Sequence, residues 1–211
     1  MIIKKLKNGA KEKVNNKNMS KLKPIANFLF EVGMLNRTPR SGFQFLGSGD
    51  QSVAEHTNRT MYISYVLGKL DGTVNIEKML IEAMFHDLGE ARVSDLNHIH
   101  QKYTERFQAD AVKDVAAGLP FGAEMVQSYT EHEERKTPES KLVKDADTLE
   151  WIISLKEQAD IGNERANFWI ESAKERLHSE IAKELCEEIL KTDSNEWWGG
   201  QAGGEAWKNK T

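Results

Sequence analysis

A chain of 211 residues, 39% hydrophobic and 29% charged, is long enough to bury a full core, and no run of it approaches the roughly 18 apolar residues of a membrane span. Its single cysteine, Cys186, excludes a disulfide framework and a sulfur-based zinc site, so any metal must be held by histidines and carboxylates. The net charge of −4 is uneven: residues 1–23 set eight lysines against Glu12, for +7, which leaves −11 on the other 188 residues and argues against a general nucleic-acid surface. Met1 to Ile3 is too short an apolar stretch for a signal peptide, so a cytoplasmic protein is expected. Residues 1–19 read as a basic, flexible extension and 199–211, with four glycines, as a flexible tail; one domain is expected over 20–198.

Pro24 opens a stripe of Ile25, Phe28, Leu29 and Val32, spaced as one helical face and ended at Gly33. Residues 35–50, rich in Gly, Ser, Arg and Thr, predict a loop. Ser52, with Glu55 three residues on, has the capping-box pattern and starts a helix to about Leu70, which Asp71-Gly72 breaks. Ile76, Met79, Leu80, Ala83 and Met84 form the next stripe, ending at Gly89, and a mixed segment runs from Glu90 to Gln101. Helices are expected over 103–117 and 121–133. Thr137 as N-cap, with Pro138 in the first helical position, restarts the chain into a core helix reaching about Ala159. One last helix is predicted from Glu164 to Lys191. No segment alternates with period two, so the fold class is all-α, a single irregular bundle of six or seven helices.

Chemistry has to come from side chains that keep company. His86 is followed by Asp87 at the end of an apolar helix, where both can reach one ion, and Glu90 lies one turn further on, followed by Asp95. His56 sits on the preceding helix. Asp145 and Asp147 interrupt a helix otherwise built for the core, and a buried acid needs a partner: a metal, a salt bridge or a cap. Spacing alone leaves these alternatives open.

The order His56, His86-Asp87, Asp147 resembles the H…HD…D signature of the HD-domain metal-dependent phosphohydrolases. The flanking segments are similar as well. Leu35-Asn-Arg-Thr-Pro-Arg resembles the family's arginine-bearing loop, Gln51-Ser-Val-Ala-Glu-His its "SV-x-(E/D)-H", and Met84-Phe-His-Asp-Leu-Gly-Glu its "HD-x-x-E". Residues from Glu131 to Asp147 resemble the approach to the last ligand. The likeness spans residues 24–160 and points to the 5′-deoxynucleotidase branch, which removes phosphate from deoxynucleoside monophosphates.

That resemblance implies one divalent ion, Mn²⁺ or Co²⁺ before Zn²⁺, Ni²⁺ or Fe²⁺, held by His56, His86, Asp87 and Asp147. It implies Glu90 and Asp95 as catalytic acids and Arg37 as a phosphate-binding arginine, with Arg40 a weaker candidate for the same job. Asp147 matches the ligand in "K-x-A-D-x-L", which leaves Asp145 as a surface or supporting acid. His132 is expected to serve structure more than chemistry, and His98, His100 and His132 are not expected to bind a second metal. Ser94 stands where glycine is commoner, and Thr38 where some deoxynucleotidases carry a tryptophan associated with rejecting a 2′-hydroxyl, which loosens the expected deoxy selectivity. The implied partners are a small nucleotide substrate and a second copy in a homodimer, with the final helix, its Trp169, and Trp197 and Trp198 beyond it available to an interface; no membrane and no nucleic-acid polymer is expected. The alternatives are an HD phosphohydrolase acting on a triphosphate, cyclic or ppGpp-like nucleotide, and a non-enzymatic metal-binding regulator. The acidic body favours small monophosphates over polyanions.

Overall fold

Two long helices set the frame. A computed structural model describes residues 22–105 and 107–199. Helix α3 (Val53–Asp71) begins in a complete capping box between Ser52 and Glu55. Helix α9 (Pro138–Asp160) begins in another between Thr137 and Ser140, with proline at its first position. Gly72 ends α3 in the left-handed conformation at φ 74°, which costs glycine little. The two helices pack along each other, and α9 also meets α4 (Ile76–Phe85), α8 (Gly122–Glu134), α10 (Arg165–Lys174) and α11 (Glu180–Lys191). Among the described residues there is no strand; Pro39 and Ser52 form one isolated antiparallel bridge. No described helix is long and apolar enough to cross a membrane.

Two apolar clusters flank the middle of α3. Ile63 and Leu67 join Leu149 and Ile152 of α9 with Ala173, Leu177, Ala182 and Cys186. At the other end Val53 joins Leu35, Leu88, Val115 and Met125. Each fully buried Leu or Ile stabilises the fold by about 1.5–3 kcal/mol. His56 lies between these clusters, so its ring is held on a rigid element.

The all-α expectation is met, with more helices than six or seven. Residues 22–32 form helix α1, followed by a 3-10 turn, Gly33–Arg37. The expected 35–50 loop contains that turn and α2 (Gly42–Leu46). The stretch after α4 holds α5 (Glu90–Val93) and α6 (His98–Gln101), and α12 (Glu196–Gly199) follows α11. The helix predicted from residue 103 starts later, as α7 (Gln108–Ala116); Tyr103 and Phe107, counted as its apolar face, are 78% and 56% exposed and precede it.

The single final helix is two. Asp145 is fully buried and accepts hydrogen bonds from the backbone N–H of His178 (2.8 Å) and Ser179 (2.9 Å) and from the Ser179 hydroxyl (2.6 Å). That carboxylate turns the chain between α10 and α11, and the Ser179 hydroxyl caps α11 by accepting from Ala182 N–H. Asp145 is therefore a structural clamp, not a surface acid. Both the basic arm expected over 1–19 and residues 200–211 of the expected tail lie outside the described residues.

Candidate active site

Four side chains of the expected ligand set converge between α3, α4 and α9. His56 Nε2 lies 3.1 Å from Asp147 Oδ1, 3.4 Å from Asp87 Oδ2 and 3.3 Å from His86 Nε2. His86 Nε2 is 3.1 Å from Asp87 Oδ2. Ligand atoms of His56, His86 and Asp147 all lie within 4.8 Å of one another, a group able to hold a metal ion.

The orientation of both imidazoles follows from what stands behind them. His56 Nδ1 is 2.5 Å from Glu150 Oε2. Burial pushes Glu150 up, but His56, Arg59 and Gln51 outweigh it and bring the carboxyl down to about 2. It is a pure acceptor, so His56 Nδ1 carries the proton and Nε2 is left to the centre. Glu150 also accepts from Arg59 Nε at 2.9 Å and Gln51 Nε2 at 2.6 Å. His86, at the end of α4, donates from Nδ1 to the Ala83 carbonyl at 2.7 Å, which likewise turns Nε2 inward. Two ring nitrogens whose protons are committed elsewhere cannot bond each other unless a further positive charge, a proton or a metal ion, joins one of them. This second layer of hydrogen bonds is what metal-binding histidines require.

Electrostatics agree with that donor set. Burial and Arg40 pull the His56 imidazole down, but Asp147 and Glu150 outweigh both and lift it to about 9. The site thus strongly favours positive charge at His56 Nε2, from a proton or a metal. Burial pushes Asp87 up, and His86, His56 and Arg40 outweigh it, holding the carboxyl well below its usual range. For Asp147 burial acts the same way, and Lys144 and His56 hold it well below the usual range. Lys144 Nζ is 2.6 Å from Asp147 Oδ2. Two neutral imidazoles and two carboxylates suit a borderline divalent ion.

A cavity of about 360 Å³ opens in front of this cluster, lined by Asp87, Asp147, Glu90, Asp95, Arg40 and Lys144 among others. Glu90 heads α5 and is buried. Asp95 Oδ2 accepts from Ser41 N–H at 2.8 Å and lies 3.7 Å from Arg40 Nη1. Ser94, just before it, has φ 65° and ψ 164°, a conformation natural to glycine and strained for serine.

The two candidate arginines stand in different places. Arg37 closes the 3-10 turn, exposed and away from the cavity lining. Arg40 reaches in, 3.6 Å from Asp87, because its loop is tied to the start of α3: Arg40 N–H donates to Gln51 O at 2.8 Å and Val53 N–H to Thr38 O at 2.9 Å. Burial pulls Arg40 down, but Asp87, Asp95, Asp147 and Glu90 outweigh it, so it stays charged. Thr38 is buried and donates its hydroxyl to Met34 O at 3.0 Å; it does not line the cavity.

His98 lines the cavity mouth, and exposed His100 pairs with Asn97. His132 is buried with its ring 5.2 Å from that of His86, and its Nδ1 is 3.3 Å from Glu82. Sequence reasoning passed over Glu150, Arg59 and Lys144. All three stand one helical turn from a ligand candidate: Glu150 and Lys144 from Asp147, and Arg59 from His56.

A family profile of the HD domain matches residues 32–190. The chain belongs to the HD-domain family. Curated relatives of this HD-domain chain include a Mus musculus protein named 5′-deoxynucleotidase HDDC2, 28% identical over 180 residues, covering 81% of this chain and 88% of the relative. The Danio rerio protein of the same name is 31% identical over 140 residues, covering 64% of this chain and 69% of that one. Among solved structures, a conserved hypothetical protein from Pyrococcus furiosus superposes with a TM-score of 0.70 at 32% identity, over 79% of this chain and 99% of the other. Family and relatives together place the HD-domain chain among the hydrolases, as its motifs lead one to expect.

Proposed function

We propose that this HD-domain protein is a metal-dependent phosphomonoesterase that removes phosphate from (deoxy)nucleoside 5′-monophosphates. What carries the reading is the pair of inward-facing imidazole nitrogens set against two carboxylates, which line a cavity together with Arg40, Glu90 and Asp95. On this reading His56, His86, Asp87 and Asp147 hold one divalent ion, Mn²⁺ or Co²⁺ suiting the donors best. When bound, such an ion lowers the pKa of water and supplies a positive pole for phosphate.

The chain's own residues do the rest. Arg40 presents its fork to the phosphate oxygens, offsetting negative charge among Asp87, Asp95 and Glu90. Glu90 orients the attacking water and takes its proton, and Asp95, fixed by the Ser41 N–H, serves the leaving 5′-oxygen. Four acids around the cavity disfavour long polyanions, which supports monophosphates as substrates. The family likeness adds a cytoplasmic homodimer to the proposal, and light scattering on the purified chain tests its dimeric part.

The deciding experiment strips metal with a chelator, restores Mn²⁺, Co²⁺, Zn²⁺, Ni²⁺ or Fe²⁺ singly, and follows phosphate release from nucleoside mono-, di- and triphosphates. Release from monophosphates that returns with metal is expected. Asp147→Ala and Glu90→Ala should each lose about 10²-fold or more in kcat. Full activity in both variants overturns the mechanism.

A further inference from the structure

Part of the cavity lining is left unused by the proposed chemistry: Trp151, Trp169 and Arg176. Trp151 follows Asp147 by four residues on α9, so it shares that face at about 6 Å of axial rise. Its indole is held in place from three sides. Phe43 meets it edge-on at 5.3 Å, and Trp169 lies against it at 6.0 Å, tilted by 58°. At Gly42 an added Cβ would come within 2.9 Å of Trp151 Cη2, so glycine leaves the room the ring occupies. Trp169 comes from α10, and Arg176 from the turn that Asp145 clamps. Arg40 and Lys144 face carboxylates, whereas Arg176 makes no ion pair among the described residues.

A nucleoside monophosphate has the matching layout: an anion at one end, a flat π-system at the other, and a sugar spanning a similar distance between them. We propose that the Trp151–Trp169 wall is a nucleobase subsite, with Arg176 addressing the edge of the base. Stacking serves every base, because each has a π-face. An arginine fork adds preference for an edge with two adjacent acceptors, such as guanine O6 and N7. The inference rests on the nucleotidase reading and explains how such an enzyme tells nucleotides from other phosphomonoesters.

The test compares kcat/KM on dGMP, dAMP, dGDP, dGTP and base-free 2-deoxyribose 5-phosphate. Trp169→Ala should reduce the nucleotide-to-sugar-phosphate ratio on the order of tenfold, mainly through KM, the size of one stacking contact. Arg176→Ala, on an exposed turn where folding is not at stake, should narrow the dGMP-to-dAMP ratio by about threefold or more. Equal losses on nucleotide and sugar phosphate in both variants overturn the proposal, and so does a loss confined to di- and triphosphates, which makes the wall a polyphosphate site. If the wild-type chain cleaves no monophosphate, the nucleotidase reading fails, and the subsite is judged by tryptophan fluorescence during titration with deoxyguanosine. Quenching that Trp169→Ala loses upholds the subsite; no quenching, or quenching unchanged in that variant, overturns it.

Discussion

Glu150 and Glu82 are both buried glutamates beside a histidine of the central cluster, yet they are held in opposite states. Glu150 accepts from His56, Arg59 and Gln51 and is brought down to about 2. Glu82 is 1% exposed, and among the described residues neither of its oxygens has a hydrogen-bond partner; His132 Nδ1 stands 3.3 Å away. Burial therefore pushes Glu82 up to about 8, with Lys78 only partly opposing it. Burial alone does not decide the charge of a carboxyl; the donors that meet it do. On the His56 side the protein has built a charged, fully bonded support, and beside His132, whose ring meets that of His86, it has kept a neutral carboxyl.

Breaking the bonded side should cost most. Glu150→Ala strips the acceptor from His56 Nδ1 and leaves Arg59 with Glu157 and Ser154, so metal affinity measured by calorimetry should fall about 10–100-fold. Denaturant unfolding of the same variant should show a loss of about 3 kcal/mol, because a buried ion pair has lost one partner. An unchanged metal affinity would mean that Glu150 does not orient His56.

The neutral side should respond with the opposite sign. In the folded chain Glu82 keeps its proton to about pH 8, whereas in the unfolded chain it loses it in the ordinary carboxylate range. Stability from this group is therefore full below that range and declines as pH rises towards 8. Glu82→Gln, neutral at every pH, should raise Tm by on the order of 10 °C at pH 8.5 and leave it unchanged at pH 4. A Tm gain of equal size at both pH values would contradict the assignment.

The smallest effect probes strain. Ser94→Gly relieves a left-handed serine next to Asp95 and should stabilise the fold by about 1 kcal/mol in thermal unfolding, with phosphate release retained. A destabilised Ser94→Gly would show that the serine side chain contributes a contact of its own.

Much of this was readable from the chain, for local reasons. Ser52/Glu55 and Thr137/Pro138 announce helix starts through side-chain chemistry three residues long, and both caps form. Of the sequence-derived set, His56, His86, Asp87, Glu90, Asp95 and Asp147 all reach one place, because motif order follows helix order. The break in the final helix was hidden because Ala173, Leu177, Ile181, Leu185 and Ile189 keep a four-residue phase straight through the turn, and its cause, Asp145, lies more than 30 residues upstream. Tyr103 and Phe107 imitated a helical stripe but stay exposed. Arg37 outranked Arg40 by motif alone, while the backbone pairing that carries Arg40 inward joins residues 38–40 to 51–53 and leaves no local mark.

Helix α9 carries Asp145, Asp147, Glu150 and Trp151 within seven consecutive residues, and each serves a different task. The helix therefore works as a dial whose phase encodes the site. One residue inserted after Asp147 would rotate everything beyond it by about 100°. It would carry Glu150 away from His56 and Trp151 away from the cavity together, while Asp145 and Asp147 stayed where they are. Insertions in this segment are thus far more disruptive than most substitutions, and the spacing of these four side chains is as much a part of the site as their identity.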